Sequence, residues 1–370
     1  MKLKKKIVLM IVAIFFTTVA AMGIYVTTAY FFSTNELSKT FKTYKGYGSS
    51  SKAIKQTKPI SILLMGVDTG SAERTSTWEG NSDSMILVTI NPKTKKTTMT
   101  SLQRDILITL SGPQNNDMNG VEAKLNAAYA AGGAEMAIKT VQDLLDMNID
   151  YYMQINMKGL VDLVNAVGGV TVTNNFDFPI TISDTEPEYT ATVEPGTHQI
   201  NGDQALVYSR MRHDDPEGDY GRQKRQQEVI EKVVKKILAL NSISSYKKIL
   251  SAISGNMQTN IEISSSTIPS LLGYSDSVKN IETYQLKGED ATIDGISYQI
   301  ATTDDLLKIQ NMIKSELGLT PSTTLTTTAI LYENLYGSSY GYNSSSDYNA
   351  YSDSTSSYTQ DQTQGYTGGY

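Results

Sequence analysis

The stretch ALVYSRMRHDDPEGDYGRQKRQQEV, residues 205–229, sets four arginines (Arg210, Arg212, Arg222 and Arg225) among five acids. The chain as a whole carries a formal net charge of −6. Planar guanidinium forks match the oxygens of carboxylates and phosphates. From Asp219 to Leu240 the apolar residues Val229, Ile230, Val233, Ile237 and Leu238 predict a long amphipathic helix. Stepping back along that stripe by three or four reaches Gln226 and Arg222, so both face inward at the N-terminal end. Lys224, Lys232, Lys235 and Lys236 point elsewhere. An inward guanidinium needs a partner, because an unpaired buried charge is costly. The free N–H groups of a first helical turn also suit an anion. Two partners satisfy these demands: an anionic ligand, or the carboxylates of Asp214, Asp215 and Asp219.

Three more residues stand at expected strand ends: Asp68 and Arg104 where strands run out, and Asp83 just before one begins. Asp68 closes the run LLMGVDTG, Asp83 lies in GNSDSM, and Arg104 follows a strand in TSLQRD. Taken singly, each aspartate reads as a turn or cap residue. Together they offer paired hard oxygen ligands beside arginines. That set suits a divalent ion, magnesium or manganese, bridging a pyrophosphate whose other oxygens meet arginine forks. The chain has two histidines, His198 and His213, and no cysteine. Disulfides, a thiol nucleophile and a histidine or cysteine zinc site are thereby excluded. His213 stands beside the arginines, where solvent exposure or a structural hydrogen bond outweighs a catalytic role.

The elements that must position these residues follow from patterning. ISILLMGV (60–67) is a continuous apolar run and predicts a buried strand. MILVTI and TTMTSL flank NPKTKK and predict an antiparallel hairpin. GVEAKLNAAYAAGGAEMAIKTVQDLLDM (120–147) has helical spacing interrupted at Gly132 and Gly133. MKGLVDLVNAVGGVTVT reads as a short helix, a double-glycine stop and a strand. Interleaved helices and hairpins predict an α/β fold with a mixed sheet covered on both faces.

Outside that region, Ile7 to Phe32 contains no charged residue. Its length exceeds the roughly 20 residues that cross a bilayer as a helix, and it surpasses a signal-peptide core. An uncleaved transmembrane anchor at 7–32 is expected, with residues 1–6 (MKLKKK) cytoplasmic by their lysines. Residues 33–57 read as an extracellular stalk, 58–319 as the catalytic domain, and 320–370 as a disordered tail rich in Ser, Tyr and Gly. The tail contains GSSYG at 337–341, but a nucleophile elbow needs a strand before it and a helix after it, and neither is expected there. Removing the four N-terminal lysines from 32 basic residues leaves 28 against 38 acids, a formal charge of −10 for the body. Nucleic-acid binding is unexpected for such a surface.

Four segments together resemble the LytR-CpsA-Psr family of cell-envelope proteins: LLMGVDTG; NSDSMILVTINPKTKKTTMTSLQRD; GLVDLVNAVGGVTV with NGDQALVYSRMR; and GDYGRQKRQQEVI. The resemblance spans residues 60–240. It implies an α-β-α sandwich with an apolar tunnel for a polyprenyl chain. It further implies transfer of a glycopolymer from polyprenyl pyrophosphate to peptidoglycan, at the C6 hydroxyl of N-acetylmuramic acid. Asp68 and Asp83 match the family's metal-binding aspartates. Arg104, Arg210, Arg212, Arg222 and Gln226 match its pyrophosphate-contacting positions. Family members often carry arginine where this chain has Gly70 or Asn81, and Arg74 is the residue that would supply the missing charge. Asp83 and Asp105 are the candidates for a general base alongside Arg104. Trp78 would stack on a sugar ring or cover the tunnel mouth. Two rivals remain at this level: a non-catalytic receptor for polyprenyl lipids, which needs no metal, and a simple pyrophosphatase. A regulator acting on DNA would need a cytoplasmic basic module, and only six residues are expected on that side.

Overall fold

The computed structural model describes residues 41–44, 58–69, 78–239, 243–261 and 273–337. The expected anchor, Arg74, most of the stalk and the last 33 residues lie outside them, and with them most of GSSYG. Among the described residues no helix is long and apolar enough to cross a membrane.

The elements run in the order β1 (Ile60–Val67), β2 (Ser82–Asn91), β3 (Lys96–Leu102), β4 (Leu107–Thr109), β5 (Glu122–Lys124), α1 (Ala127–Leu145), β6 (Tyr151–Asn156) and α2 (Met157–Ala166). There follow β7 (Val170–Asn174), β8 (Gly196–Ile200), α3 (Gly202–Arg210), α4 (Asp219–Leu238), α5 (Ile243–Ile253), β9 (Met257–Thr259), β10 (Ile281–Leu286), β11 (Glu289–Ile293), β12 (Ile296–Ile300), α6 (Thr303–Glu316) and α7 (Tyr332–Tyr336). Six strands form the central sheet in the order β10-β3-β2-β1-β6-β9. The pairs β1/β6 and β3/β10 are parallel, and the other neighbours are antiparallel. The expected hairpin is β2–β3, and its turn places Lys95 at φ 54°.

Strand alternation sends side chains to two different cores. Leu63, Met65, Val67, Met85, Leu87 and Leu102 pack with Tyr129, Met136, Val141 and Leu144 of α1 and with Leu306, Ile309 and Ile313 of α6. On the opposite face Ile86, Val88 and Met99 meet Ile230 of α4. Helices therefore cover both faces of a mixed sheet. A second apolar cluster joins α2, α3, α4 and the β7–β8 hairpin through Val164, Val172, Val207, Tyr208 and Val229. Helix α1 is broken at Gly132 and Gly133, the latter at φ 63°, where the glycine pair predicted an interruption. Its expected beginning differs: Glu122–Lys124 pairs with β4 as a strand.

Helix α3 begins with a capping box between Asn201 and Gln204. It lies so close to α2 that a Cβ on Gly202 would stand 2.3 Å from the Val161 carbonyl oxygen. The obstacle is backbone and does not yield as a side chain would. Gly202→Ala should therefore lower unfolding free energy by about 1–3 kcal/mol, the usual cost of overpacking, in a denaturant titration.

The boundary expected at residue 319 is corrected. The backbone of Thr109 donates to Thr328 O at 2.9 Å, and Ile330 donates to Leu107 O at 3.0 Å. Ala329 is buried, and Leu325 and Leu331 pack on the main core. The polar composition of 320–337 concealed this segment, which pairs with the short β4 and belongs to the domain. At the other end, residues 41–44 are docked too. Lys42 N donates to Thr259 O at 2.9 Å, Tyr152 Oη donates to Lys42 O at 2.8 Å, and the rings of Tyr44 and Tyr152 lie 5.7 Å apart.

Candidate functional site

Antiparallel pairing brings the C-terminal ends of β1 and β3 to the N-terminal end of β2, and parallel β6 ends beside β1. Asp68, Asp83, Arg104 and the start of α2 therefore gather at one edge of the sheet, the usual place for ligands in open α/β sheets. Asp83 is the second residue of β2, inside the strand where the sequence suggested a position just before it. Asp68 Oδ1 accepts the Asn81 N–H at 2.8 Å, which ties the end of β1 to the approach to β2.

A cavity of about 490 Å³ opens there. Asp68, Asp83, Arg210 and Arg212 line it, together with Thr181, Ile182, residues 184–189, His213 and Asp214. Arg104 and Arg222 stand behind Asp83 and do not line the cavity. Arg104 Nη1 donates to Asp83 Oδ1 at 2.8 Å, and Arg222 Nη2 donates to the Asp83 carbonyl at 3.2 Å. Arg222 also pairs with Asp219 at 2.6 Å. Asn126 adds a second donor to Asp83 Oδ1 at 3.3 Å.

The electrostatics of this group follow from those contacts. Burial alone would raise the Asp83 carboxyl. The charges of Arg104 and Arg222, with hydrogen bonds from Arg104 and Asn126, outweigh it and hold the group below the usual carboxylate range. A carboxylate so stabilised is a weak base. Arg222 shows the reverse. Burial, only partly offset by Asp219 and Asp83 and reinforced by Arg104 and Arg212, brings its guanidinium down to about 10. It stays charged at neutral pH. Burial opposes ionisation of Arg104 as well, but Asp83, Asp105 and Asp219 outweigh it and raise its pKa. The Nε atoms of Arg104, Arg210 and Arg222 are buried and have no hydrogen-bond partner among the described residues. Arg212 makes no ion pair with any described carboxylate.

The remaining expected residues are distributed as follows. Gln226 is half-buried, and its amide donates to Ser209 O at 3.2 Å, joining α4 to α3. Asp105 lies outside the cavity, paired with Lys124 at 2.9 Å, and its other oxygen is 3.4 Å from Arg104 Nε. His213 lines the cavity. His198 is exposed, its Nε2 at 2.9 Å from Pro195 O. Trp78 packs against the main core. Arg225 is structural. It is buried, pairs with buried Asp215, and donates to the carbonyls of Tyr208 and Met211.

Several site residues carried no readable signal. Glu186, Tyr189 and Met157 enter through a loop without periodicity and through a helix start. Asn126 precedes a helix whose first residues were misread. Among the described residues no group of three or more His, Cys, Asp or Glu side chains is arranged to hold a metal ion.

The chain is similar to known proteins over most of its length. The chain is 71% identical over 339 residues to Biofilm regulatory protein A of Streptococcus mutans, covering 91% of this chain and 83% of that one. It is 39% identical over 308 residues to the polyisoprenyl-teichoic acid–peptidoglycan teichoic acid transferase TagU of Enterococcus faecalis, covering 83% of this chain and 95% of that one. Among solved structures, protein gbs0355 of Streptococcus agalactiae superposes with a TM-score of 0.75 at 74% identity, covering 80% of this chain and all of that one. Residues 27–315 match the LytR_cpsA_psr family, and the chain belongs to it.

Proposed function

We propose that this protein transfers a glycopolymer of the teichoic-acid type from a polyprenyl pyrophosphate carrier to peptidoglycan. The observation that carries the reading is the convergence of Arg210, Arg212, Asp68 and Asp83 on one cavity, with Arg104 and Arg222 held behind Asp83. Two guanidinium forks beside hard carboxylate oxygens suit a multi-oxygen anion, and Arg212 has no ion pair among the described residues. The transferase named among the relatives supports the choice of reaction.

In this reading an acceptor hydroxyl attacks the phosphorus on the polymer side of the diphosphate. The new P–O bond makes a phosphodiester, the bridging P–O bond breaks, and polyprenyl phosphate departs. Arg210 and Arg212 grip the diphosphate from the cavity wall. Arg104 and Arg222 hold Asp83 and add positive charge behind it. Arg104 and Arg222 hold Asp83 ionised and Asp105 lies outside the cavity, so the hydroxyl proton leaves to a third acceptor or to solvent. Asp68 and Asp83 are the residues that would hold a magnesium-type ion through their hard oxygens. When bound, it would neutralise charge on the diphosphate. On the same reading, residues 7–32 anchor the chain with its domain outside the membrane, the helices and sheet form an α-β-α sandwich, and the polyprenyl chain enters an apolar channel.

The test supplies polyprenyl-pyrophosphate glycopolymer with and without peptidoglycan, with magnesium or with a chelator. Acceptor-dependent release of polyprenyl phosphate, with polymer appearing on the wall and loss of both on chelation, is expected. Release without an acceptor would leave only a pyrophosphatase, and binding without any release would leave a lipid receptor.

A further inference from the structure

Arg210 lines the cavity, yet its guanidinium is already engaged. Nη2 is paired with the Glu186 carboxylate, and Nη1 points at Met157 Sδ at 3.2 Å. The guanidinium carbon lies 5.6 Å from the centre of the Tyr189 ring, and Tyr189 Oη donates to the same sulfur at 3.2 Å. Only Nε is left without a partner among the described residues. Every group that engages the arginine belongs to the cavity lining: Met157 at the start of α2, and Glu186 and Tyr189 on the loop between β7 and β8.

That loop is built to present its carboxylate. Ile180 and Val193 bridge across it, and Ile180 and Ile182 are buried in the second core. The backbone N–H groups of Thr185 and Glu186 both donate to Ile182 O, the latter at 2.8 Å, and Tyr189 N donates to Glu186 O at 3.0 Å. Asn174 secures the base by donating to the carbonyls of Phe178 and Val193. Glu186 therefore sits on a fixed turn. Its carboxylate takes the fork that a phosphate oxygen would use.

We infer that Glu186 is a resident competitor for the donor's phosphate, holding Arg210 until the diphosphate displaces it. The inference rests on the reading of this cavity as a diphosphate site. A carboxylate brings one negative charge and two oxygens. A diphosphate brings more of both and reaches Arg212 as well. The exchange therefore favours the diphosphate donor, and it penalises any ligand that meets Arg210 with a single phosphate, as the departing polyprenyl phosphate would. Glu186 is thus a specificity-determining residue that weakens binding of both ligands and speeds loss of the product.

The apparent dissociation constant of a ligand is its intrinsic value divided by the fraction of protein in which its site is open. Removing the competitor's charge should therefore tighten binding. Glu186→Gln keeps the shape of the side chain. Titration calorimetry with inorganic pyrophosphate should show its Kd fall by roughly 3- to 5-fold, the range of a partly exposed ion pair. Inorganic phosphate should gain at least as much. In the transfer assay the donor KM should fall while kcat does not rise, a split that simple damage to the loop would not produce. A thermal melt controls for folding. Pyrophosphate binding left unchanged or weakened in Glu186→Gln, while Arg210→Ala weakens it, would overturn the competitor and leave the diphosphate site standing. Unchanged binding in both Arg210→Ala and Arg222→Ala would overturn the site itself, and the competitor with it.

Discussion

Replacing Arg104 by alanine should lower glycopolymer transfer by about 10- to 100-fold, the loss typical when a residue that orients a site carboxylate from behind is removed. The protein should still melt cooperatively. Arg104 lies beyond the end of β3, so no core side chain is lost. Its pair with Asp83 is partly exposed, with 14% and 29% of the two side chains accessible, and such pairs are worth about 1 kcal/mol or less. Two effects combine in the activity. The cavity loses positive charge, and Asp83 loses the partner that fixes its orientation and holds its pKa down. Phosphoryl transfer depends mainly on positioning and charge neutralisation, so both losses fall on kcat. Arg104→Lys restores the charge without the fork and should recover only part of the rate. The measurement is single-turnover release of polyprenyl phosphate, beside a melting curve. An alanine variant that transfers at the native rate would remove Arg104 from the site.

Arg225→Ala should have the opposite signature. Arg225 and Asp215 retain only 9% and 3% of their side-chain surface. The guanidinium also serves two carbonyls, those of Tyr208 at the end of α3 and Met211 just beyond it. Removing it leaves a buried carboxylate and two buried carbonyls without their donor. Breaking a buried pair in this way costs about 3–5 kcal/mol. A chemical denaturation curve should show that loss, and transfer per folded molecule should stay near native. Asp215→Ala should destabilise similarly, and the double variant by less than the sum, because the two residues share one network. The four arginines of one short segment therefore divide by place. Arg225 fastens the loop, Arg222 stands behind Asp83, and Arg210 and Arg212 line the cavity.

That division explains what the sequence could reveal. Apolar periodicity predicted β1, the β2–β3 hairpin and α4, because each buries one recurrent face. It also placed Arg222 inward. It could not distinguish Arg225 from its neighbours, since α4 is buried over most of its circumference near its start, where Gln223, Arg225 and Gln227 are all enclosed. The acids of 214–219 were legible as counter-charges, and Asp215 and Asp219 serve as such. Glu186 was not legible. Its place beside Arg210 depends on how a loop of mixed composition folds back over α2, and one-dimensional spacing does not encode that contact. Residues 320–337 were misjudged for a related reason. Backbone pairing with β4 holds them, and pairing by main-chain atoms leaves little trace in side-chain composition.

The docking of residues 41–44 against β9 and Tyr152 bears on where this enzyme can work. If the anchor ends at Phe32, only residues 33–40 separate bilayer from domain, a leash of at most roughly 28 Å even when fully stretched. On the proposed anchoring, such a short lead would confine the catalytic centre to a thin shell above the lipid headgroups. The donor would then reach that shell by lateral diffusion in the membrane, and new polymer would be attached to the innermost layer of the wall.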